Sequence, residues 1–109
     1  MRKGKQAALA AGGWRIGTVE EFLDLTPEEA ALVELRLRLS DALRARRTRL
    51  RLSQVVVAAR LGSSQSRVAK MEAGDASVSL DLLVKALVHL GATPQDLAKA
   101  ITARTRAAA

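Results

Sequence analysis

The chain contains no cysteine, no tyrosine, one tryptophan, one phenylalanine and one histidine. Without cysteine there are no disulfides and no thiolate metal sites, and an ordinary reducing cytoplasm suffices. Proteins that bind single-stranded nucleic acid stack bases on aromatic platforms. Trp14 and Phe22 alone do not build one, so duplex is the better polyanion. No apolar run approaches the ~18 residues of a membrane span. The first thirteen residues are too short and too weakly apolar for a signal peptide. Catalytic machinery is equally thin. His89 stands alone, and no carboxylate pair sits in a pocket motif. The run Gly62-Ser63-Ser64 lacks the Gly-Lys-Ser/Thr pattern of a phosphate loop. No enzyme activity, metal or cofactor is expected.

What remains is basic and aliphatic. The 109 residues carry 18 Lys and Arg against 11 Asp and Glu, a formal net charge of +7. Such a balance fits a polyanionic partner. The length suits one small domain. Its core must come from Leu, Val and Ala, and long β-branched alternations are few, so an all-α fold is expected.

Residues 1–17 carry Arg2, Lys3, Lys5 and Arg15 with no acidic residue, and Gly12, Gly13 and Gly17. They read as a flexible basic tail, solvated in preference to following a DNA backbone. Thr18 with Glu21 forms a capping box that opens a short helix, and Val19, Phe22 and Leu23 share one face of it. Thr26, Pro27 and Glu29 repeat the device and open a long helix reaching Arg49. Leu32, Leu35, Leu39, Leu43 and Leu50 are expected as its main apolar stripe, with Val33 and Leu37 as a second.

Charge is segregated along this stretch. Residues 18–34 hold six acidic side chains and no basic one, whereas residues 36–51 hold seven Arg and one Asp. The basic run suits DNA or, more plainly, a solvated face. A membrane-surface helix is a weaker use, since its Leu stripe belongs in the core. The acidic run suits a face turned away from phosphate, toward another protein chain. Farther on, Ser79 caps a helix whose Leu80, Leu83, Val84 and Leu87 recur at helical spacing, with Gly91 after its end. His89 is expected to pack at that apolar end. Thr93-Pro94 opens the last helix, with Leu97 and Ile101 inward. The segment 103–109 is expected to fray.

Residues 52–75, LSQVVVAARLGSSQSRVAKMEAGD, are the most informative stretch. Ser53 is placed to cap one short helix that begins at Gln54. Val57, Ala58 and Leu61 point inward, and Ala58 is small where two steeply crossed helices meet. Gly62 supplies a turn residue with positive φ. Ser63 or Ser64 caps a second helix that buries Val68 and Met71. Ser64, Gln65, Ser66, Arg67 and Lys70 then remain outside. An ordinary helical hairpin with a polar surface has the same outline. The residue types favour DNA: Gln pairs with adenine N6 and N7, Lys with guanine O6 and N7, and Ser with several bases.

At Gln54, Ala58, Gly62, Gln65 and Val68 the segment resembles the Xre-type helix-turn-helix domain of lambdoid phage repressors and Cro proteins. The resemblance covers about residues 38–102. It implies a five-helix, lambda-repressor-like domain preceded by a helical extension, residues 18–37. It also implies that Gln54 bonds a phosphate and braces Gln65, and that Ser64, Gln65, Ser66 and Lys70 read bases. Arg47 then pairs with Glu72 and approaches the DNA backbone. Arg67 joins the phosphate-positioning residues.

Three departures stand out. Arg51 occupies a place where relatives often carry Gly, so a positive φ there would strain it. Val55 and Val56 replace polar residues, as an interaction patch or, in the favoured reading, because they lie under the N-terminal helix. The extension itself resembles that of some small regulators and of HigA-like antitoxins. The function implied is a sequence-specific duplex-DNA-binding regulator of bacterial or phage type. It would be cytoplasmic and homodimeric, and would repress from a palindromic operator. The rival is an antitoxin that covers a basic toxin with its acidic extension and regulates its own operon.

Overall fold

The computed structural model describes residues 24–103. Among them are five α-helices and no strand: α1 (Pro27–Arg49), α2 (Gln54–Leu61), α3 (Gln65–Ala73), α4 (Leu80–His89) and α5 (Pro94–Thr102). The all-helical expectation is met. The helix expected at Thr18, the tail 1–17 and residues 104–109 lie outside the described residues.

Each helix begins at a hydroxyl that satisfies a free amide of its first turn. The Thr26 hydroxyl accepts from the Glu29 amide at 3.1 Å, and the Glu29 carboxylate accepts from the Thr26 amide at 2.9 Å. Thr93 and Asp96 form the same box at α5. Those bonds from Thr93 hold the Asp96 carboxyl below the usual carboxylate range. The stabilisation from the carboxylate half of the box is therefore present at neutral pH and is lost as pH falls through that depressed value, while the Thr93 hydroxyl keeps the Asp96 amide. Ser53, Ser64 and Ser79 cap α2, α3 and α4.

The α2–α3 turn closes on Gly62, whose φ is +65°. The Ser63 amide donates back to the Ala58 carbonyl at 2.8 Å, which satisfies a carbonyl of the last turn. Gly74 ends α3 the same way with φ +72°. The α1–α2 turn needs the same left-handed residue and holds Arg51 in it, at φ +60°. A Cβ in that conformation costs on the order of 1 kcal/mol.

α1 packs against α3, α4 and α5, and α2 packs against α3. Leu39 and Leu43 of α1, Val57 and Ala58 of α2, and Val68 and Met71 of α3 meet Val78, Leu83, Ala86 and Leu87 in one aliphatic core.

The expected stripe of α1 needs correction. Leu39 and Leu43 are buried, but Leu32 and Leu50 are exposed, and Ala30, Glu34 and Ser40 are buried instead. At roughly 100° per residue, Ala30 and Glu34 lie on the side opposite Leu39 and Leu43. The buried face of α1 thus changes sides along its length. Leu32 continues the Leu39–Leu43 side into a stretch where that side is open. Ile101 is also exposed, against expectation, because α5 buries its Leu97 and Ala100 side only in part. His89 does not pack at the apolar end of α4 but is exposed in its last turn. Val55 and Val56 are exposed too, at 63% and 40%. The helix expected to cover them lies outside the described residues.

The two glycines at the ends of α2 and α3 differ in one respect. A Cβ on Gly62 meets nothing within 4 Å, whereas one on Gly74 falls 2.7 Å from Leu37 Cδ2. Gly62→Ala should therefore cost about 1 kcal/mol of backbone strain. Gly74→Ala should cost about 1 kcal/mol more, because Leu37 must shift. Urea unfolding at neutral pH measures both, and equal losses would mean that Leu37 yields freely.

Candidate nucleic-acid interface

The second helix of the motif owes its outward face to the way α3 is anchored. Val68 and Met71 are fully buried, so the opposite residues Ser64, Gln65, Ser66, Arg67 and Lys70 are exposed together. The choice between Ser63 and Ser64 as cap resolves to Ser64, whose hydroxyl accepts from the Arg67 amide at 3.2 Å. It also lies 3.3 Å from the Ser66 hydroxyl.

Behind this face runs a chain of polar contacts through three helices. Glu72 of α3 has a side chain only 5% exposed. Arg47 of α1 meets it with two hydrogen bonds: Nε to Oε2, and Nη2 to Oε1 at 3.0 Å. A third Arg47 nitrogen, Nη1, donates to the Leu52 carbonyl at 2.9 Å and ties down the α1–α2 turn. Hydrogen bonding to Glu72 raises the Arg47 pKa, against a desolvation that lowers it. The guanidinium is therefore charged at any working pH.

Gln54, the first residue of α2, donates Nε2 to Glu72 Oε1 at 3.1 Å. Its Oε1 accepts from Gln65 Nε2 at 2.6 Å. The sequence of donors here is dictated by charge. A carboxylate flanked by donors only accepts. Gln54 must therefore turn its NH2 toward Glu72 and its oxygen toward Gln65. Gln65 must in turn offer Gln54 an N–H. That leaves Gln65 with its Oε1 and a second N–H facing out, the acceptor and donor that an adenine edge requires.

Two further features adjoin this face. A shallow cavity of about 190 Å³ is lined by Ser64, Ser66, Arg67, Lys70, Ser77 and Val78. The other groups Arg44 with Arg47, Gln54, Ala69, Glu72 and Ala73. Ser77 and Arg44 were not among the residues expected from sequence. Arg44 had a signal, since it belongs to the arginine run and lies one turn before Arg47. Ser77 had none: it is brought back by an Asx turn, in which its amide donates to Asp75 Oδ1 at 2.8 Å. Bonds from Ser77, with smaller contributions from Lys70 and Arg36, hold the Asp75 carboxyl below its ordinary value.

This geometry is two packed helices with Ala58 buried on the first, joined through Gly62, with a braced polar edge on the second. A family model described as a helix-turn-helix domain matches residues 38–100. The chain belongs to the helix-turn-helix domain family. No curated protein and no solved structure matches it. Membership points to a DNA-binding regulator with DNA as its partner. The matched region begins within α1, which runs back unbroken to Pro27. Among the described residues no helix is long and apolar enough to cross a membrane. No group of three or more His, Asp or Glu among them is placed to hold a metal ion.

The helix-turn-helix scaffold thus depends on a buried ion pair, and this can be measured. Arg47→Ala leaves Glu72 buried with Gln54 as its remaining donor, and should cost about 3 kcal/mol. Arg47→Met combined with Glu72→Leu should cost less than the two single losses added together. Urea unfolding of the wild type, both single variants and the double variant gives the coupling. Strict additivity would contradict it.

Proposed function

We propose that the protein is a sequence-specific regulator that represses its own or a neighbouring promoter, binding a palindromic operator as a homodimer in the cytoplasm. The observation that carries this reading is the bracing of Gln65 by Gln54. A glutamine with only a generic surface role has no need of a fixed amide orientation. In this reading Ser64, Gln65, Ser66 and Lys70 face base edges. Arg67, Gln54 and Arg47 position the DNA backbone, with Gln54 keeping one amide hydrogen for a phosphate after its bond to Glu72. The Ala58 contact, the Gly62 turn and Val68 set the angle at which α3 is presented. A single recognition helix reads only a few base pairs. Useful specificity follows when two copies read half-sites about 34 Å apart.

A second reading, the antitoxin of a toxin–antitoxin pair, draws on the part of α1 that precedes residue 38. Glu28, Glu29 and Leu32 are exposed there. That acidic and apolar surface suits a basic partner protein. Co-purification of a small basic nuclease encoded beside this gene would favour it over the simple regulator.

Gel-shift titrations with DNA from upstream of the gene, against a scrambled duplex of equal length, test the main reading. The wild type should prefer the upstream duplex. Gln65→Ala should lose about tenfold on that duplex and little on the scrambled one. Arg67→Ala should weaken both alike. No preference in the wild type would sink the sequence-specific claim.

A further inference from the structure

Arg51 is the residue that the folding of this domain explains least well. It is held at φ +60°, in the left-handed region where glycine is unstrained. The turn itself requires that conformation. The Arg51 amide donates to the Thr48 carbonyl at 3.0 Å and the Leu52 amide to the Arg47 carbonyl at 3.1 Å, closing the end of α1. Nothing local repays the strain. Arg51 is exposed, and among the described residues its side chain makes no hydrogen bond and no ion pair. Arg46 and Arg47, in the last turn of α1, are by contrast committed to Asp96 and Glu72.

Its place in the fold gives the strain a use. Arg51 precedes Leu52, whose carbonyl is gripped by Arg47, and stands three residues before Gln54. The turn that carries it is therefore fixed to the same network that orients Gln65. A backbone residue kept in a costly conformation, with an uncommitted charge, points to function in preference to stability.

We infer that Arg51 is a phosphate-contacting residue that extends the DNA footprint past Gln54 into the α1–α2 turn. The strain at φ +60° is retained because glycine would relieve it only by deleting the charge. This inference rests on the DNA-binding reading above and adds to it a residue of the α1–α2 turn. Contact with a phosphate releases condensed counterions, so each such contact steepens the salt dependence of binding by about 0.9 in log K against log salt.

The test uses the full chain, with Arg51→Gly, Arg51→Lys and, as a control for net charge alone, Arg60→Ala. Arg60 is exposed in the last turn of α2, roughly 9 Å along the helix from Gln54. Thermal unfolding and salt-dependent titration of the upstream duplex are measured on each. Arg51→Gly should raise Tm by about 4 °C while weakening DNA binding several-fold and flattening the salt slope by about 0.9. Arg51→Lys should keep the slope near that of the wild type without the gain in Tm. Arg60→Ala should leave the slope nearly unchanged. A wild-type slope in Arg51→Gly, or an equal loss in Arg60→Ala, would overturn the assignment of a contact to Arg51. A wild-type protein that binds no duplex would instead overturn the DNA-binding reading, and the inference with it. The change in Tm still reports the strain in that case.

Discussion

A carboxylate taken out of water must find partners, and Glu72 finds them on two other helices. Arg47 comes from α1 and Gln54 from α2, while Glu72 itself sits on α3. The aliphatic core brings these helices together, but an aliphatic core tolerates sliding and repacking. Glu72 does not, because a slip of either partner leaves a charge buried without its bonds. The same carboxylate dictates which atom each glutamine presents. Its influence therefore reaches Gln65, which it does not touch.

This arrangement separates two tasks. Hydrophobic burial of Val57, Ala58, Val68 and Met71 supplies cohesion, and the polar chain supplies the register of the exposed edge. The three arginines of the α1 C-terminal turn divide in the same way. Arg46 meets Asp96 of α5 at 3.0 Å and Arg47 meets Glu72, whereas Arg49 lies exposed. Positive charge here is partly structural, and only the remainder is available to a polyanion. The count of 18 Lys and Arg therefore overstates the positive charge that DNA can meet.

Much of this was legible in sequence because it is local. Ser or Thr three residues before an amide, Pro at a first turn and Gly at a left-handed end each act within one turn of chain. The starts of all five helices, and the ends of α2 and α3, accordingly fell where those residues stand. The positions that misled are set by contacts distant in sequence. The stripe through Leu32 is a true geometric face of α1, but the core reaches only its C-terminal half. Ala30 and Glu34 are buried on the other side, and Leu spacing carries no sign of that switch. His89 and Ile101 failed for a related reason, since apolar spacing says which residues align and not whether anything covers them. At the candidate interface, Gln54, Gln65, Arg47 and Glu72 were brought out by resemblance to a family. Their joint hydrogen-bonding order, with Glu72 as its source, required coordinates.

In the proposed function, Gln65, held through Gln54 by Glu72, makes α3 a reader of base sequence. That role is tested most directly by selecting duplexes from a random pool with the intact protein and sequencing those retained. The account predicts an enriched, two-fold symmetric site with half-site centres about one helical turn apart and an adenine at a fixed place in each half. A retained pool with the composition of the starting pool would contradict it.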